Sequence, residues 1–145
     1  MSRLMLVEPS LEYREDAINY ILESLEADGH CNGVGGLRRY LDDYEGWLEY
    51  LEMCRNYVAD EERVPSLEYL LVRESDNRIV GMINIRLCLN ESLERLGGHI
   101  GYSIRPSERR QGYNRINLYL ALLIKLFFGD WYFIIIFLIM LNGLR

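Results

Sequence analysis

The chain has 145 residues, enough for one domain that buries a core without disulfide support. Its 16 lysine and arginine residues are outnumbered by 22 aspartate and glutamate residues, so the net charge is -6. An acidic balance of this kind excludes general binding of nucleic acid through its phosphates. We therefore expect a single domain over residues 1–145 with no nucleic-acid partner.

The first strand and helix are marked by their end signals. Residues 3–7, RLMLV, predict a short strand that Pro9 stops. Ser10 is a suitable N-cap for the helix that follows, and Gly29 is a suitable end. Apolar residues at helical spacing predict its buried face: Leu11, Ile18, Ile21, Leu22 and Leu25.

A glycine-rich loop and a second helix come next. Residues 29–36, GHCNGVGG, lack the glycine order of a phosphate loop and predict a flexible connection. The second helix begins near Asp42 and Asp43, and its apolar stripe is Tyr44, Trp47, Leu48 and Leu51. Its carboxylates and aromatic rings either form a wall that attracts a cationic amine or lie on an ordinary solvated face. The sequence leaves both open.

Three strands follow in the second half. Residues 68–74, EYLLVRE, and 78–87, RIVGMINIRL, flank a Ser75-Asp76-Asn77 turn and predict an antiparallel hairpin. Residues 90–98 predict a loop, and 99–105, HIGYSIR, a fourth strand. The element order predicts an α/β fold: a mixed sheet with an antiparallel central hairpin, flanking helices and a parallel crossover near its end.

The composition changes sharply near Asn114. Residues 116–145 contain only Lys125, Asp130 and Arg145 as charged residues. The apolar run is long enough for a membrane helix, but each internal charge costs about 2.5 to 3.5 kcal/mol there. We therefore expect a helix to about Phe128 and a buried strand over 131–141, WYFIIIFLIML, with no membrane partner; a membrane span is the alternative.

The three cysteines are far apart and fit neither a CxxC pair nor a metal site: Cys31, Cys54 and Cys88. Free thiols are typical of a reducing compartment. The apolar run at the start of the chain is short and Glu8 comes early, unlike a secretory signal. We expect a cytoplasmic protein without a metal.

A basic loop stands out in this acidic chain. Arg105, Arg109, Arg110 and Arg115 surround residues 106–114, which join the fourth strand to a helix. The first amides of a helix have no acceptor within it, and together with the helix dipole they attract anions. Gly112 would let a ligand approach the backbone. The loop is either a phosphate site or a solvated basic turn.

Residues 100–114, IGYSIRPSERRQGYN, resemble the acyl-CoA signature of the GNAT acetyltransferase superfamily. The (Arg/Gln)-x-x-Gly-x-(Gly/Ala) pattern of that family falls here on Arg109 to Asn114. Residues 64–86, VPSLEYLLVRESDNRIVGMINIR, and 97–106, GGHIGYSIRP, also resemble a bacterial branch of it. The resemblance covers roughly residues 3–112.

The resemblance implies an N-acetyltransferase that moves an acetyl group from acetyl-CoA to a primary amine of a small molecule or protein. The strand before the loop, at Ser103, Ile104 and Arg105, would pair with the pantetheine arm. The loop would cradle the pyrophosphate, through the positions Arg109, Arg110, Gln111, Gly112, Tyr113 and Asn114.

Candidates for the amine side of the site come from strand alternation. His99 shares a face with Gly101 and Ser103, and an imidazole that titrates at about pH 6.5 in water suits proton transfer. A structural histidine is the alternative. On the preceding strand, Asn84 and Arg86 continue the apolar face that carries Val80 and Met82, and these two polar residues are expected to line the acceptor cleft. Glu68 and Glu91 are further candidates for the base.

Two departures from the family pattern qualify these expectations. Asn114 stands where the family has Gly or Ala. If residues 131–141 are the fifth strand, the C-terminal part of the fold is incomplete, and a catalytically inactive, truncated protein with weak or no CoA binding is the alternative function. The apolar C-terminal segment then predicts a homodimer, because an uncovered apolar edge promotes association.

Overall fold

The computed structural model describes residues 2–127 of the chain. Four strands form one sheet in the order β1-β2-β3-β4, and every pair is antiparallel. The strands are β1 Leu4–Val7, β2 Ser66–Arg73, β3 Arg78–Arg86 and β4 Ile100–Ile104. The helices are α1 Arg14–Asp28, α2 Tyr44–Arg55, α3 Glu91–Arg95 and α4 Tyr113–Phe127.

The α/β class, the central hairpin and the flanking helices are confirmed. The short helix α3 lies where a loop was predicted, and Asn90 caps it by accepting the amide hydrogen of Leu93 at 3.0 Å. The predicted parallel crossover, the strand over 131–141 and the segment expected to form a homodimer lie outside the described residues.

The two faces of the sheet are covered by different helices. On one face, Leu70, Val72, Ile79 and Met82 pack with the buried residues of α1 and α2. On the other face, Leu67, Ile83 and Ile85 pack against Ala121 of α4. The sheet is therefore the middle of three layers.

A bulge in β3 corrects one prediction. Gly81 pairs with Leu71 but Ile79 pairs with Val72, so Val80 is the extra residue. Val80 packs with Leu71 and Tyr113, on the α4 side. The prediction that Val80 shares the face of Met82 is wrong because the bulge interrupts the alternation.

Helix α1 is rotated away from its predicted apolar face. Leu11 and Leu22 are 55% and 49% exposed. The buried positions are Tyr13, Ala17, Tyr20, Ile21 and Ser24. The prediction is therefore right for Ile21, while Ile18 and Leu25 pack at the margin of this face. Ser10 makes no side-chain cap, whereas Gly29 ends the helix with φ of +72°, as predicted.

The end of β4 is tied to α1 through Arg105, which is 3% exposed. Its guanidinium donates to Glu23 at 2.7 Å, to Asp16 at 2.7 Å and to the Ile79 carbonyl at 3.1 Å. Glu23 also accepts the amide hydrogen of Ser107 at 2.7 Å. This cluster fixes where the loop after β4 begins.

A second buried ion cluster holds the other side of the loop. Glu108 accepts from Arg73 at 2.6 Å and from Arg78 at 2.9 Å, both in the β2–β3 hairpin. Burial alone would raise the pKa of Glu108, but the hydrogen bonds and charges of these arginines lower it below its ordinary value. Gln111 also donates to this carboxylate, at 3.2 Å. The loop is thus anchored at both ends.

Replacing Arg105 tests its role as an anchor. Arg105→Met should lower the free energy of unfolding by about 2 to 3 kcal/mol, because two partly buried carboxylates lose their cation. Arg95→Met, which breaks an exposed ion pair in α3, should change it by less than about 0.5 kcal/mol. Urea unfolding measures both, and equal effects of the two variants would contradict the assignment.

Candidate functional site

The arginines of the basic loop have different surroundings. The guanidinium of Arg105 is buried and paired with Asp16 and Glu23. Arg109 forms an ion pair with Asp28 at the end of α1, and its Nε donates to the Ile104 carbonyl at 3.3 Å. The hydrogen bonds of Arg109 lower the pKa of Asp28. Within the described residues only Arg110 and Arg115, both exposed, lack an ion pair at this loop.

The backbone of the loop opens outward at the start of α4. Arg110 and Gly112 have φ of +62° and +78°, and a Cβ on Gly112 would meet no atom within 4 Å. No hydrogen bond within the described residues uses the amide hydrogens from Arg110 to Gly112. The first turn of α4 adds amides without an intrahelical acceptor. Donors without an acceptor, with open space beside Gly112, suit an anion.

Tyr113 and Asn114 begin α4 and point inward. The Tyr113 hydroxyl accepts from Arg73 at 3.3 Å, and the ring is 8% exposed. The Oδ1 atom of Asn114 is buried and has no hydrogen-bond partner within the described residues. Their side chains therefore shape the helix start, while their backbone belongs to the open amide region.

Strand β4 is an edge of the described sheet. The amide of Arg105 donates to the Val80 carbonyl, and the His99 carbonyl accepts from the Arg86 amide. The backbone groups of Arg105 and His99 therefore point toward β3. Alternation then turns the backbone groups of Ser103 toward β3 and those of Tyr102 and Ile104 toward the outer edge. Of the three residues expected to pair with a pantetheine arm, Ile104 alone presents its backbone outward.

A polar cleft lies where the α1–α2 face of the sheet changes from apolar to polar. Its volume is about 370 Å³. The floor is formed by Ser66, Asn84 and Arg86; the roof is the glycine loop over residues 32–36; and the remaining walls come from Cys31, Arg38, Arg39, Tyr50, Leu51 and Cys54. Asn84 and Arg86, the two residues expected to line a cleft, are both present.

Close backbone contact sets the roof of the polar cleft. Gly33 has φ of +63°, and a Cβ there would collide with the Gly101–Tyr102 peptide of β4. A Cβ on Gly101 would lie 3.3 Å from the Cα of Gly33. Glycine is therefore required at Gly33 for both its backbone angle and its space. This contact joins the polar cleft to β4, and Ser103 follows two residues later.

Glu68 lies beside the polar cleft and is 4% exposed. Its Oε2 accepts from Asn84 at 2.9 Å, and the glycine loop packs on it at Gly35. Its Oε1 has no partner within the described residues. Burial raises the pKa of this carboxyl well above its ordinary value, against smaller opposing effects of Asn84 and Arg86.

His99 lies one residue before β4 and is half-buried. Its backbone carbonyl accepts the Arg86 amide hydrogen at 2.8 Å. His99 is not one of the residues that line the polar cleft in the described part of the chain. Its role as the base stays a prediction.

The proposed acidic and aromatic wall of α2 has another role. Asp43 caps the helix by accepting the Gly46 amide hydrogen at 3.0 Å, and Tyr44 and Trp47 are fully buried. Tyr50 reaches the polar cleft, but the guanidinium of Arg39 lies 5.3 Å from its ring centroid. The aromatic wall facing the cleft is therefore basic rather than acidic.

Several members of the polar cleft were not singled out from the sequence. Arg38 and Arg39 follow the glycine loop, where their charge alone gives no sign of a cleft beneath it. Glu68 was named as a candidate base, and an acidic residue inside an apolar strand is the signal that marks it.

Comparisons with known proteins add no relative. No family model, curated protein or solved structure matches the chain. Over residues 2–127, no three His, Cys, Asp or Glu side chains are grouped as metal ligands. The helices of that part are too short or too polar to span a bilayer.

The burial of Glu68 gives a pH prediction. Its folded pKa is raised, so its contribution to stability is complete below the unfolded pKa and is lost as pH rises through the folded pKa. Glu68→Gln does not titrate, so as pH rises above about 4.3, the ordinary pKa of an unfolded glutamate, it should gain stability relative to the wild type, by at most about 1.4 kcal/mol per pH unit. Urea unfolding measures the difference.

The matched control for this prediction is Glu91→Gln in α3, which changes an exposed carboxylate. Its stability relative to the wild type should vary by less than about 0.5 kcal/mol over the same range. A Glu68→Gln difference that stays constant with pH would contradict a protonated, buried Glu68.

Proposed function

We propose that the protein is an N-acetyltransferase that transfers the acetyl group of acetyl-CoA to a primary amine. The observation that carries this proposal is the β4–loop–α4 connection, in which amides without an acceptor in the described residues lie next to an edge strand. Gly101 of this strand contacts the glycine loop that covers a polar cleft. This arrangement adds to the likeness of residues 100–114 to the acyl-CoA signature of the GNAT superfamily.

The loop supplies the donors for the pyrophosphate. The amides from Arg110 to Gly112 and the first turn of α4 bind its oxygens, and Arg110 adds a free positive charge. Arg105 and Arg109 instead hold the loop through Asp16, Glu23 and Asp28 and do not contact the phosphates.

The outer edge of β4 orients the thioester. The backbone groups of Tyr102 and the amide of Ile104 face away from β3 and can pair with a pantetheine arm, while the Ile104 carbonyl accepts from Arg109. That edge runs from the loop toward Gly101, where the glycine loop and the polar cleft begin. The acetyl group and the amine therefore approach from two sides of one strand.

The reaction is a direct transfer. The neutral amine attacks the thioester carbonyl, a tetrahedral intermediate forms, the carbon–sulfur bond breaks and CoA leaves as the thiol after it takes up a proton. A base removes the proton that the amine loses, directly or through water. Binding both substrates at one strand supplies much of the rate by approximation.

Acetyl-CoA binding to the purified chain tests the proposal. At about 100 times its dissociation constant, a ligand stabilises the fold by about 2.7 kcal/mol, which raises the melting temperature by several degrees. Gly112→Leu should abolish binding because its side chain enters the space in front of the amides. Calorimetry and thermal melting give the two readouts.

Gly29→Leu is the matched control. Gly29 has φ of +72° and open space around its Cβ, as Gly112 does, so the backbone strain of the two variants is similar. Gly29→Leu should lose stability but keep acetyl-CoA binding. A folded wild type that binds no acetyl-CoA would contradict the proposal and favour the inactive alternative.

A further inference from the structure

Arginines without an ion pair are concentrated around the polar cleft. Most arginines of the described chain pair with a carboxylate, in agreement with its acidic composition. Within residues 2–127 the exceptions are Arg38, Arg39, Arg63, Arg86, Arg110 and Arg115. The last two flank the loop before α4. The other four line the polar cleft or an adjoining cavity of about 240 Å³.

The adjoining cavity is continuous with the polar cleft. Both are lined by Tyr50, Cys54, Ser66, Asn84 and Arg86. One carboxylate, that of the exposed Glu62, also borders the adjoining cavity. Positive charge therefore predominates along this continuous surface although the chain as a whole is negative.

The arginines are held in place by neutral groups. Arg39 and Arg63 lie over the Tyr50 ring at 5.3 and 5.6 Å, and Arg39 donates to its hydroxyl at 3.2 Å. Arg86 donates to the carbonyls of Gly97 and Gly98, at 3.2 and 2.7 Å. Their charges are positioned but not neutralised, so an anion can still pair with them.

Glu68 lies behind the floor of the polar cleft and is not among the described residues that line it. Its Oε1 is buried and without a partner within the described residues, although its Oε2 is bonded to the cleft residue Asn84. An unsatisfied buried oxygen is unfavourable unless a ligand or water supplies a hydrogen-bonding group. Because the side-chain nitrogen of Asn84 donates to Glu68 and to the Leu67 carbonyl, its side-chain oxygen is left to accept from an amine in the cleft.

We propose that the polar cleft binds an acceptor that carries both an amine and a carboxylate, that is, an α-amino acid, with its carboxylate at Arg38, Arg39 and Arg86 and its amine at the side-chain oxygen of Asn84. The role of acceptor rests on the proposed acetyltransferase function, whereas the binding itself does not. A phosphate ester is disfavoured because it brings no hydrogen-bond donor to the side-chain oxygen of Asn84.

Ligand-observed NMR on the full chain tests this binding without requiring turnover. The probes are a panel of the standard α-amino acids and the matching panel of their amides, which keep the amine but lack the carboxylate. We expect saturation transfer to at least one amino acid and at least about tenfold weaker binding of its amide, the loss typical of a charge-assisted contact. Inorganic phosphate should not displace it at equal concentration.

Single substitutions distinguish binding at the polar cleft from binding at the loop before α4. Arg38→Met should weaken amino-acid binding by at least about tenfold, and it should fold normally because Arg38 is exposed and has no ion pair within the described residues. Arg86→Met should have a larger effect. Arg110→Met, the matched change of another unpaired arginine, should leave amino-acid binding unchanged.

The outcomes distinguish this inference from the proposed function. Amino-acid binding that fails to respond to Arg38→Met, amides that bind as well as acids, or a folded wild type that binds no amino acid would each overturn it. Binding that is lost in Arg38→Met but kept in Arg110→Met supports it, with or without acetyl-CoA binding. Loss of acetyl-CoA binding alone, as in Gly112→Leu, bears only on the proposed function.

Discussion

The buried guanidinium of Arg105 is the constraint on which the rest of the site depends. It joins the end of β4 to α1 and to the Ile79 carbonyl of β3, across sequence separations of 82, 89 and 26 residues. A charge at this depth is tolerated only because two carboxylates and a carbonyl surround it. The loop leaves β4 in a fixed direction as a result, and its amides from Arg110 to Gly112 have no acceptor within the described residues.

The polar cleft forms because the side chains along one face of the sheet change from apolar to polar. Near the β2–β3 turn, this face carries Leu70 and Met82 and packs under α1 and α2. At the opposite end it carries Ser66, Glu68, Asn84 and Arg86, and a thin glycine loop replaces the helices as a cover. The same sheet thus supplies both a core and a polar surface, and β4 contacts the glycine loop that covers the polar one.

Local signals made much of the fold predictable. Gly29 and the Ser75-Asp76-Asn77 turn ended their elements as expected, because glycine and asparagine tolerate positive φ. The rotation of α1 was not predictable, because Tyr13 and Tyr20 bury their rings and find polar partners, and these displace leucines from the sheet. The carboxylate partners of Arg105 and Arg109 lie more than 80 residues away, at a distance in sequence that no local pattern encodes.

The contact between Gly33 and Gly101 restricts how the polar cleft could diversify. Neither position accepts a side chain without moving the other backbone, so both are closed to the ordinary substitutions by which a protein acquires a new specificity. Variation in the shape of the cleft must come from its other walls, at Arg38, Tyr50, Leu51 and Cys54. A library confined to those four positions would explore ligand preference while leaving the framework of the strand intact.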